Sequence, residues 1–192
     1  NDFASIDASN TSQGYVMVKY NGTNEKVKLQ ITCPDQSCYT YLISDRGAYD
    51  TFPLTAGNGS YALQVLENVA GDTYTVSLAQ SINVSIEDEF LPFLYPNQYV
   101  NFHTDSKAVS KGSDLAKDTY SDLDVVQNIY NYVIKNISYD TEKAQNVSYG
   151  YVPDIDDTLS SKKGICFDYA AVMATMLRTQ AIPTRLEVGY AG

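Results

Sequence analysis

The spacing of apolar residues changes once along this chain, and the change divides it into two parts. Up to about residue 85, apolar and polar residues alternate in short runs separated by turn signals. From Ser121 onward, apolar residues recur at every third or fourth position. A period of two is typical of half-buried strands, and a period of about 3.6 is typical of helices. The sequence therefore predicts an α+β protein, with a β domain followed by a part that is built on helices.

The alternating part contains six or seven short predicted strands, separated by turns that are rich in glycine and asparagine. Strands of this length at this spacing are typical of a β-sandwich. Residues 59–65 (GSYALQV) also resemble the late strands of bacterial immunoglobulin-like modules. The predicted strands are 14–20, 26–32, 39–44, 49–54, 60–67, 73–80 and 81–87.

The second part contains two predicted helices, at about 122–136 and at 166–180. Ser121 and the acidic residues after it are typical of a helix start. The second helix is apolar on nearly all sides and is therefore expected to be buried. The remaining predictions are a loop at 138–153, a short helical turn at 157–163 ended by Gly164, and an alternating strand at 185–190 (RLEVGY). The predicted domains are a sandwich at 1–90, a connector at 91–120 that is polar and helical in part at 107–117, and a further domain at 121–192.

The composition excludes several classes of function. The chain has 192 residues, of which 44% are apolar, and a net charge of −10. No dense group of lysine and arginine is present, so we expect no binding to nucleic acid and little attraction to anionic lipid head groups. No apolar run reaches the length of about 18 residues that a membrane helix requires.

Features of the first domain bear on the compartment. The chain begins at Asn1 without the pattern of a signal peptide, and we expect that an export signal or lipid anchor was removed from a longer protein. Two cysteines, Cys33 and Cys38, have four residues between them, so they suit a disulfide across a turn, two free strand cysteines or half of a zinc site. Six Asn-x-Ser/Thr triplets suit glycan attachment in a eukaryotic secreted protein, although a chain rich in these residues also forms them by chance. The triplets begin at Asn10, Asn21, Asn58, Asn83, Asn136 and Asn146.

The third cysteine, Cys166, lies at the predicted start of a buried helix. The free N–H groups and the dipole at that end favour a thiolate, and the same N–H groups can stabilise an oxyanion. Gly164 permits a tight turn before it, and two lysines, Lys162 and Lys163, add local positive charge. These features indicate a nucleophile. The alternative is a buried cysteine that only fills the core.

Several spaced motifs around Cys166 together resemble the transglutaminase-like superfamily. They are residues 137–140 (ISYD), 163–170 (KGICFDYA), 176–178 (MLR), 181–185 (AIPTR) and 188–190 (VGY). The resemblance covers about residues 120–192, with Gln180-Ala181 where the family often has a glycine before Ile-Pro. It implies a papain-like core of helices and an antiparallel sheet, truncated here after its first strand. It also implies that Cys166 is the nucleophile and that Gly164, Asp168, Tyr169 and Arg185 shape the fold.

The resemblance implies cysteine chemistry on amides through a thioester, with a histidine and an aspartate as partners. In the family these partners come from the strands that follow the one ending in Gly-Tyr, which is Gly189-Tyr190 in this sequence. The single histidine here, His103, precedes that strand and therefore does not match the family position. We therefore expect residues 1–192 alone to be inactive. Tyr139, Tyr149 and Tyr151 are candidates for a hydroxyl on the oxyanion side.

Two functions remain open from the sequence. The parent protein is expected to be an extracellular or surface-anchored transglutaminase or cysteine peptidase that acts on proteins or peptides, such as cell-wall or surface proteins, without metal or cofactor. The alternative is a non-catalytic binding or adhesion module with the same fold. The uncovered strand at 185–190 also predicts self-association, because a free strand edge pairs readily.

Overall fold

A computed structural model describes residues 2–43 and 46–189 of the chain. The chain divides into two compact units, Asn1–Pro92 and Phe93–Gly192. The first contains the described strands of the alternating part, and the second contains the described α-helices.

The first unit consists of two antiparallel sheets. One sheet has the strand order β1-β2-β5, and the other has the order β4-β3-β6-β7. A short 3-10 helix at Thr11–Gln13 precedes β2. The strands are β1 Ala4–Asp7, β2 Tyr15–Tyr20, β3 Val27–Thr32, β4 Cys38–Leu42, β5 Tyr49–Pro53, β6 Gly59–Ala70 and β7 Thr73–Val84.

A single apolar core lies between these two sheets. Alternate residues of β2, β3 and β6 are almost completely buried, while the residues between them are mostly more exposed. This is the period of two that the sequence carries, so the β-sandwich prediction is confirmed. Its similarity to immunoglobulin-like modules stays a prediction. The buried residues of these three strands are Val16, Val18, Tyr20, Val27, Leu29, Ile31, Tyr61, Leu63 and Val65.

Two details of the sandwich differ from the prediction. Strand β1 was not predicted, and it forms because Ala4–Asp7 pairs along its whole length with β2. The two strands predicted at 73–80 and 81–87 are one strand, β7, because its ladder with β6 runs without interruption past Gln80 and Ser81. A local alternation pattern cannot show such a continuous partner.

The cysteines of the first unit are both free thiols. Cys33 begins the turn between β3 and β4 and is buried in the core, whereas Cys38 pairs with Thr32 and is exposed. Cys38 lies opposite Thr32, and Cys33 directly follows Thr32. Since adjacent positions on a strand face opposite sides of the sheet, the side chains of Cys33 and Cys38 point in opposite directions. That geometry accounts for the absence of a bridge between these two residues.

The second unit is built on five α-helices among its described residues, with one small parallel pair of strands. Strand β8 is Ser138–Tyr139, and strand β9 is Lys163–Gly164. The helices are α1 Lys107–Ala116, α2 Asp122–Asn136, α3 Thr141–Asn146, α4 Ile155–Ser161 and α5 Cys166–Thr179. The predicted helices at 122–136 and 166–180 are confirmed to within one residue.

The core of the second unit forms between α1, α2, α4 and α5. Helix α2 buries Val125, Ile129 and Val133 at helical spacing. Helix α1 approaches α5 closely, since a Cβ atom on Gly112 would lie 3.1 Å from the Met176 carbonyl oxygen. Residues 91–120 are therefore more than the predicted connector, because α1 buries Ala108 in this core.

Two local predictions in the second unit were wrong, and a third was shifted. Helix α3 forms within the predicted loop. The short helical turn predicted at 157–163 is confirmed as α4, which begins at Ile155 and ends at Ser161, before Lys162 with its φ of 56° and before Gly164. Residues 182–189 form no strand, and Tyr190 lies outside the described residues. A strand requires a hydrogen-bonded neighbour, but Thr184 instead donates its N–H to the Phe93 carbonyl oxygen over 2.9 Å. No helix in the described ranges combines the length and apolar character that crossing a membrane requires.

Candidate active site

Cys166 is the first residue of α5, and its side chain is exposed. The parallel pair β8–β9 fixes the chain immediately before it. Asp140 donates its N–H to the Gly164 carbonyl oxygen over 2.9 Å, and Ser138 donates to the Lys162 carbonyl oxygen over 2.9 Å. The segment that precedes the exposed thiol is therefore held in place by backbone hydrogen bonds to β8.

The first turn of α5 offers backbone donors beside the sulfur. Helical geometry leaves the N–H groups of Cys166, Phe167 and Asp168 without acceptors inside the helix. The positive end of the helix dipole lies in the same place. This arrangement suits a carbonyl oxygen that gains negative charge when the sulfur attacks its carbon.

Asp168 closes the start of α5 from inside the unit. Its side chain is completely buried, and one carboxylate oxygen accepts the N–H of Ile165 over 2.8 Å. The same oxygen accepts a hydrogen bond from Lys143 Nζ over 2.8 Å, and the other accepts one from the Tyr151 hydroxyl over 2.5 Å. Lys143 Nζ also donates to the Tyr151 hydroxyl over 2.6 Å. These residues, Lys143, Tyr151 and Asp168, form what we call the buried network.

The buried network fixes the protonation of Lys143 and Tyr151 at neutral pH. Burial lowers the pKa of Lys143, but its hydrogen bonds to Asp168 and Tyr151 outweigh that effect and raise the pKa above its ordinary value. Burial, followed by the hydrogen bond to Asp168, raises the pKa of Tyr151. Lys143 is therefore a cation and Tyr151 a neutral phenol at pH 7.

Gly164 is required by packing. A Cβ atom at this position would lie 2.7 Å from Asp168 Cβ and 3.2 Å from Thr158 Cγ2. The sequence suggested that this glycine permits a tight turn. The structure gives a different reason, because only a residue without a side chain leaves room for the buried carboxyl group of Asp168.

Aromatic rings surround the residue that follows Cys166. The ring of Phe167 makes edge contacts with Tyr99 at 5.3 Å and with Tyr151 at 6.4 Å between centroids. Two residues after Phe167, the Tyr169 hydroxyl donates to the Ile137 carbonyl oxygen. These contacts hold the first turn of α5 against the end of α2 and the segment before α4.

The predicted tyrosines occupy different surroundings. Tyr139 and Tyr149 have exposed fractions of 54% and 81%. The hydroxyl of Tyr151 is already engaged by Asp168 and Lys143. Their assignment to the oxyanion side stays a prediction. Arg185 lies at the surface, where its Nε is 3.0 Å from a carboxylate oxygen of Glu187.

Two cations of this unit received no role from the sequence. Lys143 carries no local signal, because its partners lie 8 and 25 positions further along the chain. Arg178 is almost completely buried, and burial lowers its pKa to about 10. Its guanidinium donates to the carbonyl oxygens of Tyr95 and Thr184. Arg178 thereby connects the segment at Tyr95 and the segment at Thr184 to the end of α5.

His103 lies in the loop before α1. Its backbone N–H donates to the Ser106 hydroxyl over 2.9 Å, and the residue lines a hollow of about 290 Å³ together with residues 153–156. A second hollow, of about 530 Å³, lies beside α3 and α4 and is lined by Asp140, Glu142, Lys143, Asn146, Asp157, Ser161 and Lys163. Neither of these two hollows includes Cys166 in its lining.

The protonation of the buried network predicts a pH effect on stability. Since the pKa of Tyr151 is raised in the folded state from 10.0, the unfolded chain releases this proton first as the pH rises. The free energy of unfolding should therefore fall as the pH rises above about 10, and Lys143 should add to the fall. In Tyr151→Phe the fall should be shallower, as measured by denaturant unfolding at a series of pH values. An equal slope in the variant and the wild type would contradict the raised pKa.

Comparison with protein families finds a match over the part of the chain that contains this site. Residues 109–192 match the model of the transglutaminase-like superfamily. The match begins inside α1, about ten residues before the region that the motifs alone indicated, in agreement with the packing of α1 in the core. A comparison with curated proteins finds no match for the chain.

Proposed function

We propose that Cys166 is the nucleophile of an acyl transfer on protein or peptide amides, because residues 109–192 match the model of the transglutaminase-like superfamily. The observation that carries this proposal is the exposed thiol at the first residue of a buried helix. A cysteine that only fills the core would be packed among apolar side chains, as Cys33 is.

The proposed chemistry follows from this placement. The thiolate of Cys166 attacks the carbonyl carbon of an amide, a C–S bond forms, and the backbone N–H groups of the first turn of α5 stabilise the oxygen. The C–N bond then breaks, and the amine leaves with a proton from a general acid. A second amine or water attacks the thioester, and the sulfur departs as thiolate. The amine outcome is transamidation or crosslinking, and the water outcome is deamidation or peptide hydrolysis.

The acid and base of this reaction are not assigned within residues 1–192. The single histidine of the sequence, His103, lies in the loop before α1, and its hollow is not lined by Cys166. We therefore propose that residues 1–192 are inactive by themselves and that the histidine and aspartate come from elsewhere in the intact gene product. We also propose that this product lies at the cell surface or outside the cell, which the β-sandwich unit and the acidic composition support.

The reactivity of Cys166 tests the proposal, with Cys38 as an internal reference. Both thiols are exposed, but Cys38 lies on a strand without a helix terminus. At pH 7, iodoacetamide should modify Cys166 roughly fivefold faster than Cys38, since a helix N-terminus stabilises nearby negative charge by up to about 1 kcal/mol. Peptide mass spectrometry over time measures both rates in one sample.

The matched controls are Cys166→Ser and Cys38→Ser, which leave one exposed thiol each. Equal rates for the two cysteines would contradict the proposed nucleophile and favour the alternative, a non-catalytic binding or adhesion module with this fold. The same controls identify any modification of the buried Cys33 through unfolding of the first unit.

A further inference from the structure

The first turn of α5 contains an acidic residue close to the atoms on which the proposed reaction builds up negative charge. Asp168 lies two positions after Cys166 and is completely buried. Its carboxylate is useful to the helix, because it accepts the N–H of Ile165. It also places a negative charge within about one helical turn of a sulfur and a carbonyl oxygen that both become anionic during acyl transfer. A site of this kind requires something that cancels the charge.

Lys143 is placed to cancel it. Its Nζ lies 2.8 Å from Asp168 Oδ2, and its side chain is only 28% exposed. The backbone places it there, since the Asp140 side chain caps α3 by accepting the Lys143 N–H over 2.8 Å. Asp140 is in turn held by its hydrogen bond to Gly164, two residues before the cysteine. The lysine and the nucleophile are thus fixed by the same pair of short strands.

We propose that Lys143 is a positioning residue that neutralises Asp168 and so keeps the start of α5 favourable to negative charge on Cys166 and its substrate. This inference rests on the proposed function of Cys166. It assigns Tyr151 a supporting part, because its hydroxyl donates to the carboxylate oxygen that Lys143 does not contact.

Other charged groups near the network do not replace Lys143. They are Asp140 and Glu142 at the start of α3, Asp157 on α4 and Lys163 on β9, which all line the hollow beside Lys143. Asp140 is half-buried, whereas Glu142, Asp157 and Lys163 are exposed. Among the residues described, the ion pair to the Asp168 carboxylate is formed by Lys143. Exposed charges act through water and are screened by salt, while a buried pair is screened much less.

Two single variants that change the charge near Cys166 in opposite directions test the inference. The rate at which iodoacetamide modifies Cys166 is measured in each variant and divided by the rate for Cys38 in the same molecule. Lys143→Met leaves the carboxylate unpaired and should slow Cys166 roughly tenfold at pH 7, which corresponds to about 1.4 kcal/mol. Asp168→Asn removes the negative charge, retains an acceptor for Ile165 and should make Cys166 severalfold faster. Lys143→Arg and the double variant Lys143→Met with Asp168→Asn should both stay within about threefold of wild type.

The opposite changes in rate expected for Lys143→Met and Asp168→Asn distinguish an electrostatic role of Lys143 from a purely structural one. A purely structural role predicts that both single changes loosen the first turn and move the rate in the same direction, which would overturn the inference. If Lys143→Met does not fold, as judged by the helical circular dichroism of the chain, Asp168→Asn decides alone, because an unchanged or slower rate contradicts the charge argument. A wild-type Cys166 no faster than Cys38 would count against the proposed function, whereas a fast Cys166 unaffected by these variants would count only against Lys143.

Discussion

Replacing Cys166 with alanine is expected to abolish acyl transfer by the intact gene product, lowering the rate at least about 10³-fold. The expectation follows from the chemistry, since no thioester forms without the sulfur and the remaining backbone donors stabilise only a slow attack by water. Incorporation of a fluorescent primary amine into a glutamine-containing protein, together with release of ammonia, measures transamidation and hydrolysis in parallel. The side chain of Cys166 is exposed, so the variant should fold normally.

The matched control for this loss is Cys38→Ala. This change removes an exposed thiol from the edge strand β4 and should leave the rate within about twofold of wild type. Activity that survives Cys166→Ala, or that disappears in both variants, would contradict the assignment of the nucleophile.

Replacing Asp168 with alanine is expected to cause the largest loss of stability among changes at the site. The substitution leaves the ammonium of Lys143, the N–H of Ile165 and the hydroxyl of Tyr151 without their acceptor. Breaking a buried ion pair costs about 3–5 kcal/mol. Because the Lys143 side chain remains 28% exposed and can turn toward water, we expect about 3 kcal/mol. Denaturant unfolding followed by helical circular dichroism measures this change in the second unit.

The surface pair of Asp114 and Lys117 provides the control. Their contact, at 2.6 Å, is shorter than the contact between Lys143 and Asp168, but both side chains are more than half exposed. Asp114→Ala should therefore change the free energy of unfolding very little, since exposed ion pairs are solvated and screened. A similar loss in the two variants would show that burial of Asp168 does not determine its contribution.

The sequence carried the parts of the fold that depend on local periodicity. Alternation predicted the sandwich, and helical spacing with a serine cap predicted α2 to the residue. The start of α5 at Cys166 was also predicted, because Gly164 and the apolar run after it mark a boundary. These patterns depend on residues that are close together in the sequence, so they can be recognised without knowledge of tertiary contacts.

The parts that sequence reasoning missed depend on distant partners. Helix α1 has a polar composition, and its place in the core follows from the close approach that Gly112 permits. The buried network joins residues up to 25 positions apart, so nothing near Lys143 indicates its partner. The alternating residues 185–189 form no strand, since alternation predicts a strand only where a neighbouring strand is available. Self-association through this segment, including Tyr190, stays a prediction.

The most direct measurement is a search for an acyl group on the sulfur of Cys166. The intact gene product is mixed with a glutamine-containing peptide, quenched in acid within seconds and digested, and the peptide containing Cys166 is analysed by mass spectrometry. Acyl transfer predicts a mass increase equal to the peptide minus ammonia on Cys166, which disappears when hydroxylamine is added before the quench. An adduct on another residue, or turnover of the substrate while Cys166 stays unmodified and dispensable, would contradict the assignment.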